Sequence, residues 1–196
     1  MSEIALFPLS ATLLPFGRMP LQIFEQRYLD LVKSSMRTGD GFGIVRILRG
    51  AEVSSDDLPT LASIGSIAKI VDWDQLDNGL LGITVEGSKR FKPLDCWRET
   101  NGLLKANIEF LPDHAAAPMI DSWEPMRTVL AGLEAHPHVQ RIGLPVDFED
   151  AWQVGLSLVQ LLPLDENLKL DLLAIDSVEE LMRELDVVLN ALSGED

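Results

Sequence analysis

Apolar and polar positions change their period once along this chain, close to residue 113. Before that point the apolar residues come in short runs cut by proline, glycine and charge. Ile4-Ala5-Leu6-Phe7 stops at Pro8, and Thr12-Leu13-Leu14 stops at Pro15. A turn, Pro15-Phe16-Gly17-Arg18, leads to Leu21-Gln22-Ile23-Phe24. Each run reads as a strand. From Glu25 to Lys33 the spacing becomes helical, with Tyr28, Leu31, Val32 and Ser35 on one face and Leu29 and Met36 beside it. Gly39-Asp40-Gly41 ends that helix, and Phe42 to Leu48 returns to a strand. The opening is therefore predicted as strand, strand, turn, strand, helix, turn, strand.

The strand period continues downstream. Arg49 to Thr60 is a polar surface loop containing Ser54-Ser55-Asp56-Asp57. Leu61 to Trp73 is a strand with Ile64, Ile67, Ile70 and Val71 as its apolar members, and Gly65 marks a bulge or bend. Asp77-Asn78-Gly79 is a hairpin turn, because Asn-Gly takes positive φ at little cost. Leu80 to Gly87 follows, then Lys92 to Trp97, a turn at Glu99 to Gly102, and the alternating strand Leu103 to Leu111 closed by Pro112. Many short strands with close turns predict a small barrel or curled sheet over residues 1–112. Asp113 to Pro118 reads as a linker. Beyond it the steps are helical: Ile120 to Glu134, stopped by His136-Pro137-His138, and a second helix opened by Pro145 to Phe148 with Trp152, Gly155, Leu156, Val159 and Leu162 inward. Asp165 caps a short helix, Leu168 to Ala174, and Asp176-Ser177 caps the last one, striped by Leu181, Leu185, Val188, Leu189 and Leu192. The fold class is α+β: a β-barrel with one inserted helix, then an α-helical bundle over residues 118–193.

Charge sharpens this division. The formal net charge is -15. Residues 1–120 hold 15 acids and 12 bases, whereas residues 121–196 hold 16 acids and 4 bases. Such a field repels phosphate backbones, so nucleic acid is not an expected partner. The single cysteine, Cys96, forms no intrachain disulfide and fits a reducing compartment. The N-terminus has neither the basic nor the apolar region of a signal peptide, and no apolar run approaches a membrane span. A cytoplasmic protein without membrane contact is expected.

Several ordered pieces carry a family likeness. Leu6-Phe7-Pro8-Leu9, Pro15-Phe16-Gly17, Pro20-Leu21, Ile23-Phe24-Glu25, Arg27-Tyr28 and Gly39-Asp40-Gly41-Phe42-Gly43 together resemble the opening of the Lon protease N-terminal domain. The likeness continues through Ile64-Gly65-Ser66-Ile67, Asp77-Asn78-Gly79 and Gly87-Ser88-Lys89-Arg90-Phe91, and more weakly through Leu161-Leu162-Pro163-Leu164. It implies a PUA-like β-barrel (a pseudobarrel) followed by the helical bundle, the two forming one stand-alone Lon N-terminal-like unit. It also implies non-enzymatic binding of unfolded or exposed polypeptide segments, as an adaptor or holdase working with a protease or chaperone. Full-length Lon adds a nucleotide-binding module and a serine–lysine pair; this sequence holds no G-x-x-x-x-G-K-[ST] loop. An ATP-independent module with no cofactor is expected.

Candidate chemistry is sparse. Arg18, Glu25 and Arg27 are charges set in an apolar motif. One account is structural: Glu25 satisfies N–H groups at the helix start and an arginine pairs with it. The other places Arg18 and Arg27 beside Phe16 and Tyr28 in a polypeptide-binding groove, so Phe16, Arg18, Arg27 and Tyr28 are the candidate binding residues. His114, His136 and His138 lack the spacing and carboxylate company of a metal site, and read as exposed loop residues. Asp56-Asp57, Glu149-Asp150 and Glu179-Glu180 read as solvated or helix-start acids rather than a catalytic pair. Lys89-Arg90-Phe91-Lys92 is the one basic cluster; alternation puts Phe91 in the core and the cations in water. The alternatives are an RNA-binding PUA-like protein, and a small-molecule-binding or enzymatic protein with a pocket of converging polar groups. Polypeptide binding requires a contiguous apolar patch on the surface.

Overall fold

A computed structural model describes residues 2–50 and 58–194. The chain divides into two compact units, Met1–Asp113 and His114–Asp196. It is a mixed α+β protein, with a sheet-rich first unit and a helical second one.

In the first unit, β1 (Ser2–Leu9), β2 (Arg18–Ile23), β3 (Phe42–Arg49), β4 (Thr60–Gln75), β5 (Leu81–Arg98) and β6 (Leu104–Phe110) form one sheet in the order β2-β5-β4-β3-β1-β6. All pairings are antiparallel except β1 with β3. That parallel pair needs a crossover, supplied by β2 and the helix α1 (Gln26–Thr38). The runs read as separate strands at Leu80 and Lys92 are one strand. β5 is 18 residues long; its first half pairs β2 and β4, and its second half pairs β6. A register shift between Pro93 and Cys96 lets the ladder pass a residue that has no N–H. Thr12-Leu13-Leu14 is not a strand. Leu13 and Leu14 are buried in irregular backbone, where the Ser66 hydroxyl donates to the Leu13 carbonyl at 2.7 Å. The polar-loop expectation at Ser54 to Asp57 lies outside the described residues.

The core of this unit gathers Phe7, Leu13, Ile23, Tyr28, Leu31, Val32, Phe42, Ile44, Ile83 and Val85. The Phe7 and Tyr28 rings stack at 3.9 Å, which fixes α1 against β1. Gly65 borders a bulge, since the β3–β4 register shifts between Val45 and Ile47. It pairs with Val45 and Phe91, and a Cβ there would meet the Ile44 oxygen at 2.5 Å and the Phe91 ring at 2.8 Å.

The second unit contains α2 (Glu124–Glu134), α3 (Pro137–Ile142), α4 (Ala151–Leu161), α5 (Glu166–Leu173) and α6 (Val178–Ser193). α4 is buried along nearly its whole length, as befits a helix apolar on most sides. Gly155 admits Leu181 closely: an added Cβ would lie 2.8 Å from its Cδ2. Asp150, Asp165 and Ser177 cap α4, α5 and α6 by accepting the Trp152, Asn167 and Glu180 N–H groups. The outer end of the expected α6 stripe does not bury, since Leu192 is exposed.

Candidate substrate-binding surface

The four residues singled out in the opening motif fall into two places. Tyr28 is 3% exposed, beneath the stack with Phe7. The Arg27 guanidinium lies 4.7 Å from the centre of the Tyr28 ring. Its Nε pairs with Glu25 at 2.9 Å, and its Nη1 donates to the Gly102 carbonyl at 2.7 Å. Glu25 occupies the cap position of α1, but its side chain caps no helix N–H and binds Arg27 instead. Arg27 thus joins the helix start to the β5–β6 turn. Arg18 and Phe16 are held elsewhere, against β5. Arg18 pairs with Glu86 at 2.7 Å. Phe16 takes φ 64 and donates its N–H to the Gly87 carbonyl at 2.9 Å. A phenylalanine in that conformation carries backbone strain, which the surrounding bonds maintain.

A different surface is apolar and open. β3 pairs β4 only as far as Ala68, so Lys69 to Gln75 has no strand on that side among the described residues. A register shift between Ile70 and Asp72 turns Val71 outward. Trp73 pairs with Ile83, whose side chain is in the core, yet β4 has by then run past the core and the indole is 58% exposed. Met36, one turn beyond the buried face of α1, lies nearby. Met36, Val71 and Trp73 line a cavity of about 400 Å³ together with Ser35, Lys69 and Ile70. A second cavity, about 250 Å³, shares Trp73 and is walled by Pro20, Gln22, Asp72, Leu76 and Thr84. Three exposed apolar side chains, Met36, Val71 and Trp73, therefore share one cavity, among polar neighbours that include Asp40, Lys69 and Asp72. Nothing in the sequence pattern separates these residues from core positions. Met36 sits beside a buried helix face and Trp73 continues a strand alternation.

A third cavity, about 710 Å³, lies between α1 and the sheet; its lining is more apolar than polar, with Glu3, Lys69, Lys89 and Lys105 among its walls. Lys105 pairs with Glu3 at 2.9 Å, which holds its ammonium above the usual range. Lys89 pairs with Asp113. The basic cluster is not a free cationic face. Phe91 is in the core as expected, but Arg90 is buried beside it and donates to the Pro112 carbonyl. A bulge between Ser66 and Ala68 breaks the simple alternation there. Cys96 is half-buried in β5, where burial and then Asp95 push its thiol up.

In the helical unit His114 stands in irregular backbone and is half-buried, His136 is exposed just before α3, and His138 is exposed within it. His114 stacks on Trp152 at 3.5 Å, and the His136 imidazole accepts the His138 N–H at the start of α3. No group of three potential metal ligands occurs among the described residues.

The profile of the ATP-dependent protease La (LON) substrate-binding domain matches residues 3–190. The chain belongs to the LON substrate-binding domain family. It is 30% identical over 197 residues to Lon protease 2 of Herpetosiphon aurantiacus, covering 96% of this chain and 24% of that protein. It is 28% identical over 107 residues to the Lon protease of Anaeromyxobacter dehalogenans, again a small part (12%) of the relative's length. Among solved structures, a Lon N-terminal domain protein from Xanthomonas campestris superposes with a TM-score of 0.73 at 30% identity, covering 95% of this chain and 98% of that one. The N-terminal domain of a Mycobacterium avium complex Lon protease shares the fold, with a TM-score of 0.59 at 17% identity.

Proposed function

We propose that this LON-family module binds exposed apolar segments of polypeptide without catalysis of its own, on a PUA-like barrel, as an adaptor or holdase. The observation that carries this is the open apolar surface of Met36, Val71 and Trp73 around a cavity of about 400 Å³. Exposed apolar clusters of this kind mark contact sites, and one large aromatic in a concave setting is a typical anchor. The test is fluorescence anisotropy of a labelled unfolded polypeptide and a labelled single-stranded RNA, each titrated with the protein in one buffer. Saturable binding of the polypeptide, weakened about tenfold or more by Trp73→Ala, supports the proposal. Binding of RNA alone refutes it. The buried Arg90 and the paired Lys89 speak against that outcome.

A further inference from the structure

Three strands, β2, the first half of β5 and the end of β4, form a tongue with two open edges. In an antiparallel ladder alternate residues direct N–H and C=O to one neighbour, and the residues between direct theirs away. Leu76 donates to the Leu80 carbonyl at 2.9 Å, and Asp74 with Gly82 and Asp72 with Thr84 keep the same register. Asp72 and Asp74 therefore face β5, and Trp73 and Gln75 turn their N–H groups to the open edge. Those N–H groups are already taken. Trp73 donates to Asp72 Oδ1 at 2.9 Å and Gln75 to Asp74 Oδ1 at 2.7 Å. On β2 the parity is set by the Gly87 N–H, which donates to the Gly17 carbonyl at 2.9 Å. Met19, Leu21 and Ile23 then face β5, and Pro20, which has no N–H, faces outward. Both edges are blunted against an added strand.

We infer that the Trp73 surface selects segments in which a basic residue adjoins an apolar or aromatic one, gripped by side chains across the β4 edge rather than by strand addition. This rests on the polypeptide-binding proposal above. The two carboxylates are held in place along the β4 edge by the N–H groups of Trp73 and Gln75, on the strand face opposite the exposed indole. Among the described residues neither has a cationic partner in an ion pair. A ligand cation finds the two fixed acceptors on one face of β4, and the apolar residue beside it reaches the indole on the other face.

Three labelled peptides with one apolar core and Lys, Gln or Glu flanks separate the possibilities by anisotropy. The Lys-flanked peptide is expected to bind roughly fivefold tighter than the Gln-flanked one, and the Glu-flanked peptide more weakly than either. Asp72→Asn with Asp74→Asn keeps both oxygen acceptors for the edge N–H groups and removes the charge. It should erase the preference, so that the Lys-, Gln- and Glu-flanked peptides bind the variant alike. Equal binding of all three peptides by the native chain, or a preference that survives the double variant, overturns the inference alone. Failure of every peptide to bind overturns the polypeptide proposal and this inference with it.

Discussion

Arg27 separates a structural role from a binding role more cleanly than any other residue of the opening motif. Its side chain is 8% exposed, and it pairs with Glu25 at 2.9 Å, donates to the Gly102 carbonyl at 2.7 Å and lies over the Tyr28 ring. Arg27→Ala removes all three interactions. A hydrogen bond to a charged group contributes about 1.5–3 kcal/mol. Removing one member of a buried ion pair costs about 3–5 kcal/mol, but the Glu25 side chain is 23% exposed and water can take part of the load. The Gly102 carbonyl also keeps a long contact with Arg98 at 3.4 Å. The expected loss is therefore about 3 kcal/mol, where the two ranges meet. Urea unfolding followed by circular dichroism measures it, and peptide anisotropy below the transition measures binding by the folded fraction. The expected result is a large fall in the midpoint with the peptide Kd unchanged within about twofold. A loss under about 1 kcal/mol, or a native midpoint with a Kd raised tenfold, refutes the structural assignment.

Other consequences follow from single contacts. Gly65→Ala places a Cβ against the Ile44 oxygen and the Phe91 ring. It should destabilise by about 2 kcal/mol despite the usual gain of replacing a strand glycine, and an unfolding free energy equal to the native one contradicts that packing. Asp72→Ala with Asp74→Ala frees the edge N–H groups of Trp73 and Gln75. Concentration-dependent self-association by light scattering is expected, and a strictly monodisperse double variant with the native mass argues against edge protection. The Glu99 carboxyl is held below its ordinary value by the Trp97 indole N–H and then by Lys105. Because its folded value is the lower one, its contribution is complete above the ordinary glutamate range and fades as pH falls through the folded value. The stability gap between the native chain and Glu99→Gln should therefore shrink on acidification; a gap unchanged at about pH 3 counts against it.

The periodicities of this chain determine much of its architecture. Alternation and turn residues specify the strands from Phe42 to Phe110, and helical spacing with Asp165 and Ser177 specifies the caps and helices after residue 118. These signals are local: a turn needs its Asn-Gly and a helix needs its cap whatever lies elsewhere. The helix face that Tyr28 shares with Leu31 and Val32 was legible in the same way, although the sequence makes Tyr28 a candidate binding residue and its burial against Phe7 was not legible. What depends on partners far away in sequence was not legible. Arg27 is committed to Gly102, Leu13 and Leu14 are buried outside any strand, and Arg90 is drawn inside beside Phe91. The apolar surface belongs to this second kind. Trp73 is exposed because β3 stops pairing at Ala68 while β4 continues, and a strand's own sequence does not record where its neighbour ends. Alternation fixes which face a side chain takes, but only the assembled sheet decides whether anything covers that face.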